Sequence, residues 1–275
     1  AISDLTSIVK ELIDNALDAE STNINIRLYG QGLEIIEVSD DGNGVPVGSL
    51  PYMATKHATS KIERLEDIYT GTGLTMGFRG EALFAMACVS ESLVVSSRTQ
   101  DDELATKIVF GKDGKQKPLP SSSSSSSPAS STKEEFKQQC EHVHRKVGTT
   151  VAVLEPFKFL PARQADLKRR IKQERKNLFK LVEAYGLFNV GVGFRLMDIG
   201  GNNRNRESLM LATSAFSRSL SATASSHLGS AFVKGTTSLE VSLESYFRQK
   251  RKENNKKNNS SSNDNSNNNN NNNNN

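Results

Sequence analysis

Residues 5–17 constrain the fold of this chain more than any other segment. Their apolar side chains fall at Leu5, Ile8, Val9, Leu12 and Ala16, the three-four spacing of a helix with one apolar face, and Asp4 stands where an N-cap or a dipole-complementing carboxylate belongs. A helix of that length holds only when its apolar face covers another layer. The next segments supply one. Residues 24–28 alternate with period two, and residues 33–38 form a mostly apolar run after a Gly30-Gln-Gly32 turn. The expectation is an α+β fold, a two-layer α/β sandwich of helices on a mixed sheet.

The rest of the chain is read the same way. Residues 51–80 show no sustained apolar period beyond a short helical stretch near 62–68, and Gly71, Gly73, Gly77 and Gly80 punctuate a long loop. A helix is expected at 81–89 and strands at 93–97 and 104–110. Residues 111–145 are polar and read as a hairpin connection swollen by a disordered Ser-rich insertion at about 118–134. Strand character returns at 148–154, helix at 164–185 and strand at 190–196. After Gly200 the pattern weakens: 209–232 reads as helical in part and 238–243 alternates like a strand, with no partner evident for either. Residues 251–275 hold 15 Asn and read as a disordered tail. The expected organisation is a domain over 1–199, a partial second domain over 200–250, and that tail.

Charge divides along the chain. The formal net charge is +4 over 275 residues, yet residues 1–100 carry 7 Lys/Arg against 14 Asp/Glu, whereas 158–180 carry 9 against 2. No run of 18 apolar residues exists, so no membrane span is expected. No basic-then-apolar leader is expected at the start. Two cysteines, Cys88 and Cys140, cannot build a disulfide framework and suit a reducing compartment.

Three clusters carry chemistry. Glu11, Asp14, Asn15 and Asp18 share the polar stripe of the first helix, ordinarily a solvated face. Glu11 and Asn15, however, are one turn apart; a carboxylate can orient or deprotonate water, and a carboxamide oxygen can ligate Mg²⁺ beside phosphates. Asp40-Asp-Gly-Asn-Gly44 reads as a turn, but a carboxylate at a strand end beside glycines also suits the exocyclic amine of adenine. Gly77-Phe-Arg-Gly-Glu-Ala-Leu83 is a Gly-rich loop entering a helix, with N–H groups to offer an anion. The spacing of Gly71, Gly73 and Gly77 does not match the dinucleotide fingerprint, and there is no P-loop.

In order and spacing these clusters resemble the MutL mismatch-repair ATPases of the GHKL (gyrase, heat-shock chaperone, histidine kinase, MutL) group. Lys10-Glu-Leu-Ile-Asp-Asn-Ala-Leu-Asp-Ala19 is similar to the first group motif, Asp40-x-Gly42-x-Gly44 to the second, and Gly148-Thr-Thr-Val151 to the fourth. Lys56-His-Ala-Thr-Ser-Lys-Ile62 and Gly77–Leu83 resemble the MutL branch specifically, and residues 147–185 look most like eukaryotic PMS-type subunits. The resemblance implies the GHKL (Bergerat) fold followed by a truncated domain of the MutL transducer type, and slow ATP hydrolysis with Mg²⁺ that acts as a conformational switch in DNA mismatch repair.

Residue by residue, the resemblance implies Glu11 as general base and Asn15 as Mg²⁺ ligand. It implies Asp40 on the adenine amine, with Gly42 and Gly44 giving the base room and Thr149 supporting that side of the pocket. Thr59, Ser60 and Lys61 would belong to the ATP lid, and Gly77, Phe78, Arg79 and Gly80 would wrap the phosphates. A second MutL-type subunit, DNA and a nuclear location are implied as well. The basic segment offers Arg163, Lys168, Arg169, Arg170, Lys172, Arg175 and Lys176 for DNA, against the ordinary reading of a solvated helix face. Two departures bear on activity. Only seven residues precede Ile8, and no residue after Gly200 is assignable to the Lys that the family's second domain lends to the γ-phosphate. Hydrolysis weaker than binding is therefore expected, no endonuclease domain is expected, and a non-hydrolysing, ATP-responsive binding module is the rival reading.

Overall fold

The computed structural model describes residues 2–56, 81–117, 140–200 and 207–215. Helix α1 (Leu5–Asp18) opens the fold. Its cap is reciprocal: the Asp4 carboxylate accepts from the Ser7 N–H at 2.7 Å, and the Ser7 hydroxyl accepts from the Asp4 N–H at 3.1 Å. Leu5, Ile8, Val9, Leu12 and Ala16 are all buried, as the spacing requires, and Ile13 joins them.

Strands β1 (Asn23–Tyr29), β2 (Ile35–Asp40), β3 (Ser92–Arg98), β4 (Ala105–Phe110), β5 (Cys140–Val143), β6 (Gly148–Leu154), β7 (Gly193–Ile199) and β8 (Glu207–Ala212) form one sheet among the described residues, in the order β5-β4-β3-β6-β2-β1-β7-β8. Neighbours are antiparallel except β1 and β7, which run parallel. The sheet is therefore mixed. Helix α2 (Ala82–Val89) follows β2 in the chain, and the long helix α3 (Pro161–Phe188) lies between β6 and β7. Ile24, Ile26, Leu28, Ile36, Val38, Leu93, Val95, Val151 and Val153 make a continuous apolar face across the register, and it meets the buried side of α1 and Leu167, Leu178 and Val182 of α3. This single core is what the period-two and period-3.6 patterns predict together.

Several boundaries differ from the sequence expectation. Residues 30–32 form a 3-10 turn with Gln31 at φ 63°, so β2 starts at Ile35 and runs through Asp40. The stretch 111–145 is not a connection alone: its last residues form β5, which pairs with β4. That strand is four residues long, lies at the sheet edge and buries no side chain fully, so it leaves no apolar alternation to read. Residues 207–212, within the stretch expected to begin a second domain and to turn helical from 209, instead form β8 and extend the same sheet through Leu211 opposite Leu196. No described helix is long and apolar enough to cross a membrane. The expected insertion at 118–134, most of the long loop, and the stretches from 216 through the Asn tail lie outside the described residues.

Candidate active site

The end of β2 is a buried polar junction in the sheet. Asp40 is 9% exposed, and its Oδ1 accepts from the N–H of Gly42 at 2.9 Å and of Thr149 at 3.0 Å. The Thr149 hydroxyl lies 2.8 Å from Ser97 Oγ, which also receives the Val45 N–H at 2.8 Å. β2, β6 and β3 thus meet at one point because Asp40, Thr149 and Ser97 sit at or near the matching ends of adjacent strands. Burial pushes the Asp40 carboxyl above its ordinary range, opposed by the N–H groups of Gly42 and Thr149, the charge of Arg145 and the Ser21 hydroxyl. Asp41 turns the other way, onto the N–H groups and side chains of Thr22 and Asn23. Burial acts upward on it too, but these bonds win and hold its pKa below the ordinary value.

The glycines of this turn have a reason in the protein itself. A Cβ on Gly42 would stand 2.5 Å from the Ala19 carbonyl oxygen, and one on Gly44, at φ 75°, would stand 2.2 Å from the Arg98 carbonyl oxygen. Gly42 is therefore the residue that lets the turn close on the end of α1, where the Asn43 N–H also donates to the Ala19 carbonyl at 2.9 Å. That contact orders the site. With a rise of about 1.5 Å per residue, Asn15 lies about 6 Å and Glu11 about 12 Å back along α1 from Ala19. Asn15 and then Glu11 follow back along α1 from the contact with the Asp40 turn, and both are half-buried.

Asp14 is a correction to the sequence reading. It does not share a solvated stripe with Glu11 and Asn15: it is 3% exposed, accepts from Lys10 Nζ at 2.6 Å and from the Tyr185 hydroxyl of α3. Burial and the Asp14 carboxylate both push the Tyr185 phenol up, so it serves as a donor. Asp14 lies about 60° around the helix from Glu11. Its anchorage on α3 fixes the rotation of α1, and with it the directions of Asn15 and of Glu11, whose charge also acts on Tyr185.

Thr59, Ser60, Lys61, Gly77, Phe78, Arg79 and Gly80 lie outside the described residues. The basic candidates separate into two groups. Arg169 and Arg170 pair with Asp166, Arg175 pairs with Asp198, and Arg163 donates to the Ile2 carbonyl at 3.3 Å. Lys168, Lys172 and Lys176 are exposed and make no ion pair among the described residues. Sequence reasoning missed Ser97, Tyr185 and Arg145. Each reaches its partner across 52 to 171 residues of chain, and no local spacing signals that.

A buried strand-end carboxylate on backbone N–H groups thus begins a turn that closes on the end of a helix carrying Glu and Asn one turn apart. Residues 2–141 match the model of the histidine kinase-, DNA gyrase B- and HSP90-like ATPases, and the chain belongs to this family. Within it the chain is similar to MutL-type mismatch-repair proteins, eukaryotic PMS proteins among them. It is 35% identical to the mismatch repair endonuclease pms1 of Dictyostelium discoideum over 78% of this chain and 18% of that protein. It is also 35% identical to the DNA mismatch repair protein PMS1 of Arabidopsis thaliana over 74% of this chain and 19% of that one. The chain thus spans about a fifth of the length of these curated relatives. Among solved structures it is similar to the N-terminal domain of a DNA repair protein, with TM-score 0.67 and 28% identity, over 87% of this chain and 61% of that. The Aquifex aeolicus MutL ATPase domain complexed with ADP shares the fold, with TM-score 0.54 and 23% identity, over 82% of this chain and 68% of that.

Proposed function

We propose that this chain binds ATP and hydrolyses it slowly with Mg²⁺, as the ATPase part of a PMS-type MutL homologue that works in DNA mismatch repair in the nucleus with a second MutL-type subunit. The observation that carries the reading is the junction of Asp40 with Thr149, closed on the α1 end through Gly42 and Asn43. An ionised Asp40 accepts a hydrogen bond from adenine's amine and rejects a base that presents a carbonyl there. Asn15 supplies a carboxamide oxygen, a donor that fits Mg²⁺, about one turn along α1 from Ala19 at the base-reading end. Bound there, Mg²⁺ would neutralise charge on the phosphates. Glu11, one turn further on, is placed to align water and take its proton. The curated relatives of this chain include proteins named mismatch repair endonucleases, and that name supports the pathway.

Single-turnover hydrolysis tests the reading. Wild type should convert bound ATP, and Glu11→Ala should bind ATP yet hydrolyse it at least about a hundredfold more slowly. If both bind and neither hydrolyses, the chain is an ATP-responsive binding module and the enzyme reading fails. A DNA contact has its own support in Lys168, Lys172 and Lys176, which α3 presents to solvent without an ion pair among the described residues, while Arg169, Arg170 and Arg175 are paired with Asp166 and Asp198.

A further inference from the structure

Arg145 stands in the short segment between β5 and β6, and no motif includes it. Its Nη2 donates to the Asp40 backbone carbonyl at 3.0 Å and lies 3.4 Å from Ser39 Oγ. Its own carbonyl accepts from Arg98 Nη1 at 3.0 Å, while Arg98 Nε donates to the Asp102 carbonyl at 2.9 Å. The two arginines form a brace. Arg98 on β3 fixes the chain at Arg145, and Arg145 fixes the peptide of the residue whose carboxylate is seated on Gly42 and Thr149. Gly148, at φ 122°, presses its backbone against the same carbonyl: a Cβ there would stand 2.3 Å from the Asp40 oxygen. With so little slack, a displaced Asp40 carbonyl moves the carboxylate too.

The brace is also electrostatic. Among the described residues, Arg145 is the charged group that acts on Asp40; the groups that reach it from the α1 end, the turn and β6 are the uncharged Ser21, Gly42 and Thr149, and Asp41 faces Thr22 and Asn23 instead. Arg145 Nη1 is buried with no protein partner among the described residues, so no second carboxylate there takes up the guanidinium charge. A carboxyl that gains a proton becomes a donor on one oxygen, and it then competes poorly for an amine.

We propose that Arg145 is a positioning residue for base recognition: it clamps the Asp40 peptide and lends the buried carboxylate the positive charge that keeps it an acceptor for an exocyclic amine. The ligand in this statement rests on the ATP reading, but the coupling of Arg145 to Asp40 does not.

The test titrates Asp40 directly, by carbon NMR of the nucleotide-free protein labelled at aspartate carboxyls, with Asp40→Asn to assign the signal. Arg145→Gln keeps a donor for the carbonyl and removes the charge; it should raise the Asp40 midpoint by about one pH unit. Arg145→Lys keeps the charge and should leave the midpoint within a few tenths of a unit of wild type, on the order of measurement error against that shift. In parallel, ATP binding to Arg145→Gln should be about tenfold weaker than wild type below the midpoint, with the ratio shrinking as pH rises. A purely structural role would weaken binding by one factor at every pH. An unmoved midpoint in Arg145→Gln, or an equal rise in Arg145→Lys, overturns the proposal whether or not ATP binds. Shifted midpoints in a protein that binds no ATP refute the nucleotide reading and leave the coupling supported.

Discussion

Asp40 accepts hydrogen bonds from two backbone N–H groups and is nonetheless held above its ordinary pKa, because burial outweighs them. The folded chain keeps this proton at a pH where the unfolded chain, near the reference value of 3.8, has lost it. The contribution of Asp40 to stability therefore declines as pH rises through that window, while the ionised acceptor that ATP needs appears over the same window. Asp41 has the opposite sign: its lowered pKa gives stability that is present above the ordinary carboxylate range and lost as pH falls through its folded value. Asp40→Asn separates the two roles of the residue. The carboxamide oxygen still serves Gly42 and Thr149, but its amino group meets adenine's amine donor to donor. ATP affinity should fall by about 1.5–3 kcal/mol with the fold retained, as read by equilibrium nucleotide binding alongside circular dichroism. The motif itself marked Asp40, Gly42 and Gly44. It could not show that Gly42 and Gly44 are required by Ala19 and Arg98, since those contacts exist only after the chain has folded back.

Helices α1 and α3 show how an element acquires a fixed rotation. The apolar spacing gives α1 its buried side, but a helical wheel carries angles and no neighbours, so Asp14 appears as one more polar residue. In the fold, Tyr185 of α3 and Lys10 hold it buried. Tyr185→Phe removes one partner of a buried carboxylate and should destabilise the protein by about 2 kcal/mol in chemical denaturation. Because the rotation of α1 then loosens, the proposed role of Glu11 in aligning water predicts that hydrolysis falls more than ATP binding, since Asp40 sits on the sheet. On α3 the charge pattern was legible and its division was not. Replacing Lys168, Lys172 and Lys176 with Gln should weaken DNA binding at low salt and flatten the dependence of log affinity on log salt by about 2 to 3. Arg175→Gln should instead lower stability with little change in that slope, because Arg175 is engaged with Asp198.

At the scale of the molecule, the sheet gathers segments from residue 23 to residue 212 around one core. β8 is part of it, with Leu211 buried at 7% exposure beside Leu196. Leu211→Ala should shift a single unfolding transition by about 2–3 kcal/mol. A separate early transition would place this strand in an independent unit. The sequence by itself determined the type of the strongly periodic elements, α1, β1, β2, β6 and α3 among them, because helical and strand periodicities are local properties of the chain; the edge strands β5 and β8 it did not determine. It also determined the candidates Glu11, Asn15 and Asp40, because their chemical types and spacing are local as well. Only the tertiary structure decided that Asp40 sits on Thr149 and beneath Arg145, and that Asp14 is buried under Tyr185. Those outcomes depend on which strand ends and helix faces meet across 100 residues or more of chain, and that is set by the packing of the whole core.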